Sequence, residues 1–280
     1  MACAVMFKTR SVNAPLGAVF TVFGLIFNTI VKDIRKGQRL PIMSLVTEVV
    51  QTAVFLLAFL LMFEFLGIRR MGGAIRGDFV LYIMTGIFLF MTHIKAVGAV
   101  FGADGPTSPM MQHSPMNTII VLVSAALGSL YIQTLAMLLV LLVYLVFFST
   151  FEIYDPVMAY GAFLAAWFSG CAIGMALYAL KPWAPAFVNI FQMIIQRANM
   201  IASGKMFVAN SLPPSMLQMF DWNPLFHCID QARGFTFINY YPRNSDFFYP
   251  ILVSIVLLMI GLLVEYYTRK HASSSWSATS

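Results

Sequence analysis

Six long apolar stretches constrain this chain more than any motif in it: Val46–Leu66, Val80–Phe101, Ile119–Phe148, Val157–Leu180, Ala186–Val208 and Phe247–Tyr267. Each supplies the roughly 20 mostly apolar residues that a helix needs to cross a hydrocarbon core. In lipid a spanning segment must satisfy its own backbone N–H and C=O groups, which a helix does and an open strand does not. The expected fold is an all-α integral membrane protein with six transmembrane helices, and an even number places both termini on one side. Ile119–Phe148 is longer than a bilayer requires, so it is expected to tilt, kink or project. Charged residues make up 10% of the 280, against about 25% in soluble domains, which argues against a soluble globular protein.

The net charge of +6 does not point to nucleic acid, because Lys and Arg fall mainly at the edges of apolar segments, where they set orientation. Lys8, Arg10, Lys32, Arg35, Lys36, Arg39, Lys181, Arg269 and Lys270 share one side of a six-span arrangement, against Arg69, Arg70, Arg76, Arg233 and Arg243 on the other. That bias predicts cytoplasmic termini. The start, MACAVMFKTR, has an apolar run too short for a signal-peptide core, and its charges follow the run, so the N-terminus is expected to be retained. Cys3, Cys171 and Cys228 share no metal-ligand spacing and are not an even disulfide set; Cys171 reads as packing.

Three domains are expected: a cytoplasmic N-terminal segment over 1–40, a transmembrane domain over 41–268 and a cytoplasmic tail over 269–280. Within the first, Leu16–Arg39 carries apolar Val19, Phe20, Phe23, Ile26, Phe27 and Ile30, then Lys32, Asp33, Arg35 and Lys36. This pattern predicts an amphipathic interfacial helix with a basic end, with a seventh span as the alternative. Before the last span, Asn210–Phe235 is too polar to cross a bilayer and richer in aromatics than a solvated loop. Pro213, Pro214 and Pro224 divide it into short pieces. A re-entrant periplasmic helical element is expected there, since irregular backbone at membrane depth needs protein or a watery cavity around it. Phe220, Trp222, Phe226, Phe235, Tyr240 and Tyr241 fit an interfacial belt, and Asp221, Asp230 and Arg233 fit mutual pairing within the element.

Polar side chains inside apolar stretches are the candidate site. Asn189, Gln192, Gln196, Asn199 and Ser203 recur at spacings of three and four, so they share one helix face. Arg197 lies beside this stripe and Lys205 near its end. The stripe suits hydrogen bonding to neighbouring helices or the lining of a watery pathway, and both readings stay open. Phe55, Phe59 and Phe63 repeat every fourth residue, as packing or as path lining. Glu48 and Gln51 sit one turn apart and fit a structural pairing, as does Glu64. His93 has no nearby Ser, Cys or acid to complete a catalytic constellation, and the chain reads as a non-enzyme. No internal inverted repeat of the secondary-transporter kind is visible.

Three regions carry a family likeness. IVKDIRKGQRLPIMSLVTEVVQ leads into the first span; AVGAVFGADGPTSPMMQHSPMNTIIVLVSAALGSLY joins the second to the third; and Lys205-Met-Phe, Leu212-Pro213 and Trp222-Asn223-Pro224-Leu225-Phe226-His227 with Arg233 precede the last. In this order they resemble the membrane subunits of ABC-2-type exporters of capsular polysaccharide and lipopolysaccharide O-antigen. Gly102-Ala103-Asp104-Gly105 and the tail Ala272–Ser280 depart from the family pattern.

The resemblance implies a homodimeric permease in the bacterial inner membrane, with two copies of a separate ATP-binding subunit and a lipid-linked polysaccharide as cargo. It also implies a polymer path near the dimer axis and, in capsule systems, a periplasmic adaptor and an outer-membrane export protein. ATP and Mg would be bound by the partner subunit. This chain's nearest approach to a GxxxxGK[ST] loop is Ser203-Gly204-Lys205-Met206, which lacks the final hydroxyl, while Asn199 replaces the first Gly. The resemblance casts Met110, Met111, Gln112 and His113, with Lys32, Asp33, Arg35 and Lys36, as ATPase-coupling residues. The lining residues become Phe55, Phe59, Phe63, Asn189, Gln192, Gln196, Arg197, Asn199 and Lys205, and Trp222, Asn223, Pro224 and Arg233 mark the periplasmic element. Alternative readings are an ABC-2 exporter of a drug or other small molecule, and an integral-membrane enzyme acting on lipid-linked substrates.

Overall fold

The computed structural model describes residues 15–35, 41–67, 78–105, 117–147 and 151–276. Among them the chain is helical without strands: α1 Pro15–Arg35, α2 Pro41–Phe65, α3 Phe79–Phe101, α4 Thr118–Phe147, α5 Pro156–Leu180, α6 Pro185–Ala202, α7 Pro214–Phe220, α8 Pro224–Thr236 and α9 Phe248–Trp276, with a short 3-10 turn at Ala209–Ser211. Among the described residues five helices are long and apolar enough to cross a membrane: Ile42–Phe65, Phe79–Phe101, Thr118–Phe147, Pro156–Leu180 and Phe248–Thr268.

The stretch Ala186–Val208, expected as one span, is helical only to Ala202. Gly204 adopts φ +77, a left-handed conformation that stops a helix and that glycine tolerates best. Polar residues along the 18-residue α6 dilute its hydropathy, and it is not among the five. Prolines open α5, α6, α7 and α8 at their first turns, where the missing N–H is harmless and the fixed φ suits a helix. Side chains cap several of these starts. Asp78 accepts from the Val80 N–H at 3.0 Å ahead of α3, Asp155 from the Met158 N–H at 3.0 Å ahead of α5, and Asn223 from the Leu225 N–H at 3.0 Å ahead of α8. Each satisfies a backbone donor that the first turn leaves open.

Helices α3 and α5 form the centre. Small residues on α5 let α3 come close: a Cβ on Gly170 would stand 2.5 Å from the His93 carbonyl oxygen, and one on Gly174 2.9 Å from that of Val97. Close backbone approach of this kind is how helices associate where no water drives them together. Gly261 does the same for α9, since its Cβ would stand 2.9 Å from Met175 Cγ. Around this pair, α2, α4 and α9 turn apolar side chains outward, among them Val54, Leu61, Leu142, Val146, Leu252 and Leu263.

Helix α1 packs along α4. The Ser124 hydroxyl donates to the Ile26 carbonyl at 3.2 Å, while Phe23 and Phe27 remain exposed. Lys32, at the end of α1, pairs with Asp104 at 3.3 Å and so joins that helix to the residues just after α3.

Candidate functional site

The polar face of α6 runs from open to sealed. Asn189 is exposed, Gln192 and Gln196 are half-buried, and Asn199 and Ser203 are buried. Its opposite face is uncovered, with Phe187, Ile190, Ile194 and Ile201 more than half exposed; Arg197 is also exposed. The sequence places the stripe on one face, and the fold brings its far end, at Asn199, against His93 of α3 and Asn223 ahead of α8.

At the sealed end a hydrogen-bond chain links four elements, α8, α6, α3 and α5. Asn223 Nδ2 donates to Asn199 Oδ1 at 2.9 Å and to the Ala202 carbonyl at 3.1 Å. Asn199 Nδ2 lies 3.3 Å from His93 Nε2, and His93 Nδ1 lies 2.9 Å from Ser169 Oγ and 3.1 Å from the Ala166 carbonyl. Because the Asn199 carbonyl oxygen already accepts from Asn223, its amide donates to His93, so the imidazole proton sits on Nδ1. Asn223 thus serves twice, as the cap of α8 and as the link to α6. His93 acts as a bridge in this core.

Beyond Gly204 the chain turns into the bundle, and Lys205 is only 3% exposed. Its ammonium lies 3.2 Å from the centre of the Phe90 ring, 5.1 Å from that of Phe55 and 5.3 Å from that of Phe59. Among the described residues it has no hydrogen-bond partner. The rings' negative faces therefore supply its close attraction. Gly86 makes the room: a Cβ there would stand 3.0 Å from Lys205 Cβ and 3.2 Å from Arg233 Nη2.

Arg233, 1% exposed, holds the same turn from α8. Its Nη1 donates to the Gly204 carbonyl at 2.9 Å and the Phe207 carbonyl at 2.7 Å, and its Nη2 to the Lys205 carbonyl at 2.9 Å. The guanidinium lies 4.1 Å from the Tyr82 ring centre. The mutual pairing expected of Asp221, Asp230 and Arg233 does not form among the described residues. Asp230 accepts instead from the hydroxyls of Tyr240 and Ser245, and Asp221 lies 3.4 Å from His227. The three carbonyls of the turn match a planar fork of donors better than a single carboxylate would.

The fold brings part of the aromatic stripe to this place. Phe59 and Phe63 are buried in the core, and Phe55 stacks on Phe90 with ring centres 6.0 Å apart. Trp222 and Tyr241 are exposed, and the Trp222 indole donates to the Met219 carbonyl at 2.7 Å. Pro224 opens α8. Met110, Met111, Gln112, His113 and Lys36 lie outside the described residues, as do the side chains of Asp33 and Arg35.

A second polar cluster faces a cavity of about 470 Å3 between α2, α3, α4 and α6. Glu48 accepts from Lys95 Nζ at 2.8 Å and from Gln133 Nε2 at 2.7 Å, and Lys95 also donates to Gln51 at 2.8 Å. Gln196 of the α6 stripe lines the same cavity. Sequence reasoning overlooked Gln133, although one amide inside an apolar run is itself a signal that a partner waits across a helix. Among the described residues no group of three His, Cys, Asp or Glu comes together as a metal site.

No protein-family model matches the chain, and no curated protein is significantly similar to it.

Proposed function

We propose that this multi-pass chain is the membrane subunit of an ATP-driven ABC-2-type exporter of a surface polysaccharide, working as a homodimer with two separate ATP-binding subunits. The carrying observation is the α6 face: Gln196 lines the cavity, while Asn199 and Ser203 continue the same face into the buried core. A polymer bearing many hydroxyls needs repeated, exchangeable hydrogen bonds, and amides supply both donors and acceptors. The uncovered apolar side of α6 suits lipid or a second copy. The family likeness of three regions across the chain supports the same reading.

In this reading α1 lies at the cytoplasmic interface and both termini are cytoplasmic in the bacterial inner membrane. The segment Asn210–Phe235 is the periplasmic re-entrant element, and a periplasmic adaptor and outer-membrane protein extend the route. Work from ATP hydrolysis enters through Gly102–Asn117 and α1. Their junction is supported by the Lys32–Asp104 pair at 3.3 Å.

The test is deletion of the gene in its native host, with surface glycan and intracellular lipid-linked polymer both measured and wild type used for complementation. Loss outside with accumulation inside is expected. Complementation with Gln192→Leu plus Gln196→Leu should then restore assembly and not export. Unchanged glycan in both places would remove polysaccharide export and put the small-molecule ABC-2 exporter first.

A further inference from the structure

The cavity beside α6 does more than receive Gln196 of the polar stripe. Its volume of about 470 Å3 falls within the roughly 300–1,000 Å3 of small-ligand sites. Its wall along α3 and α4 contains glycine and alanine, and among the described residues a Cβ on Gly98 would meet nothing within 4 Å. Glycine there leaves space that a larger side chain would fill without moving the backbone.

The polar groups facing that space are paired and still have bonding capacity. Each Glu48 oxygen accepts one bond, from Gln133 or from Lys95, and retains a lone pair. Lys95 donates to Glu48 and Gln51, which leaves one of its three N–H groups. Gln133 keeps its carbonyl oxygen, and Gln196 brings a whole amide from α6. The charges of Glu48 and Lys95 offset each other at 2.8 Å, as do those of Lys32 and Asp104 at 3.3 Å. A phosphate or uronate would meet the Glu48 carboxylate, and an ammonium would meet Lys95. What suits an ion pair with spare donors and acceptors beside a smooth wall is an uncharged ring whose hydroxyls both give and take hydrogen bonds, strengthened by the charged partners.

We propose that the cavity bounded by Glu48, Lys95, Gln133 and Gln196 is a binding site for an uncharged sugar unit. The assignment rests on the export reading for the source of that sugar, as a unit of the moving glycan. The Glu48–Lys95 pair positions the hydroxyls, Gln196 couples the bound ring to α6, and Gly98 sets the size that fits.

The experiment uses the full chain in lipid nanodiscs free of glycolipid. Saturation-transfer NMR is recorded with methyl glucoside, methyl galactoside and methyl mannoside, and with glucuronate and glucosamine as charged counterparts. At least one neutral glycoside should bind, about tenfold or more tighter than either charged sugar, and Gly98→Leu should abolish the transfer. Gln196→Leu disturbs no hydrogen bond within the described residues, so it provides the second variant if Gly98→Leu does not fold; it should weaken binding about fivefold.

Binding unaffected by the variant that folds, equal binding of charged sugars, or no transfer to any neutral glycoside would overturn the site. The host deletion separates the two ideas. Sugar binding blocked by Gly98→Leu, alongside unchanged surface glycan, would support the site and remove the export reading. Lost export with binding insensitive to both variants would do the reverse.

Discussion

The ammonium of Lys205 lies 3.2 Å from the centre of the Phe90 ring, in a place where it has no hydrogen-bond partner among the described residues. A cation in that position is held by ring faces alone, and attraction of this kind is worth about 2 kcal/mol when desolvated. Removing a charge from water costs several kcal/mol. The desolvation cost is therefore the larger quantity, so the charge of Lys205 is expected to cost stability and not to add to it.

Lys205→Met should melt no lower than wild type, because the thioether fills the same space without a charge. Phe90→Ala removes the nearest ring and opens a void beside the ammonium, so it should cost about 3–5 kcal/mol. Thermal unfolding of the purified protein in detergent reads both. A Met variant that melts well below wild type would mean that the ammonium does stabilise the fold.

Arg233 and lysine are not interchangeable at this position. The guanidinium serves the carbonyls of Gly204, Lys205 and Phe207 while lying over Tyr82, and an ammonium cannot reproduce that planar fork. Arg233→Lys should lose about 2 kcal/mol or more, from charge-assisted bonds worth about 1.5–3 kcal/mol each. Limited proteolysis should then cut within residues 203–211 before any other described segment. Protection equal to wild type would show that the turn is held by other contacts.

Two glycines at the same helix pair should respond in opposite ways. Gly170→Ala places a methyl 2.5 Å from the His93 carbonyl oxygen, and overpacking of this kind costs about 1–3 kcal/mol. Gly98→Ala meets open space among the described residues and should gain about 0.5–1 kcal/mol from reduced backbone freedom in the unfolded chain. Melting temperatures that move in the same direction for both would contradict the close packing of α3 on α5.

Asn199 and Asn223 form one link of the chain that ends at Ser169. A double-mutant cycle with Asn199→Ala and Asn223→Ala should show a coupling of about 0.5–1.5 kcal/mol. Additive losses would indicate that the two amides act independently. Asn223→Ala alone should cost the larger share, since it also removes the cap of α8, worth about 1 kcal/mol.

The stretch Ala186–Val208, whose helix stops at Ala202, shows where legibility ends. Apolar content marks a membrane-like stretch, but it does not reveal that Gly204 will turn left-handed and send Lys205 inward. Periodicity did place Asn189, Gln192, Gln196, Asn199 and Ser203 on one face. It could not say that α3 and α8 cover only the far end, or that Gln133 meets Glu48. Asp230 and Arg233 stand close in sequence and invite pairing, yet each finds better-matched partners brought in by other segments.

By itself the sequence determined the helical character of the chain, the apolar segments and the breaks at Pro213, Pro214 and Pro224. These follow from backbone chemistry and from which residues repeat along one strip. Only the tertiary structure decided that Lys205 enters the cage of Phe55, Phe59 and Phe90, that His93 bridges Ser169 to Asn199, and that Glu48, Lys95 and Gln133 face one cavity. Local pattern specifies the face a side chain occupies; its partner depends on how distant helices cross, and small residues such as Gly86 and Gly170 set how closely they do so.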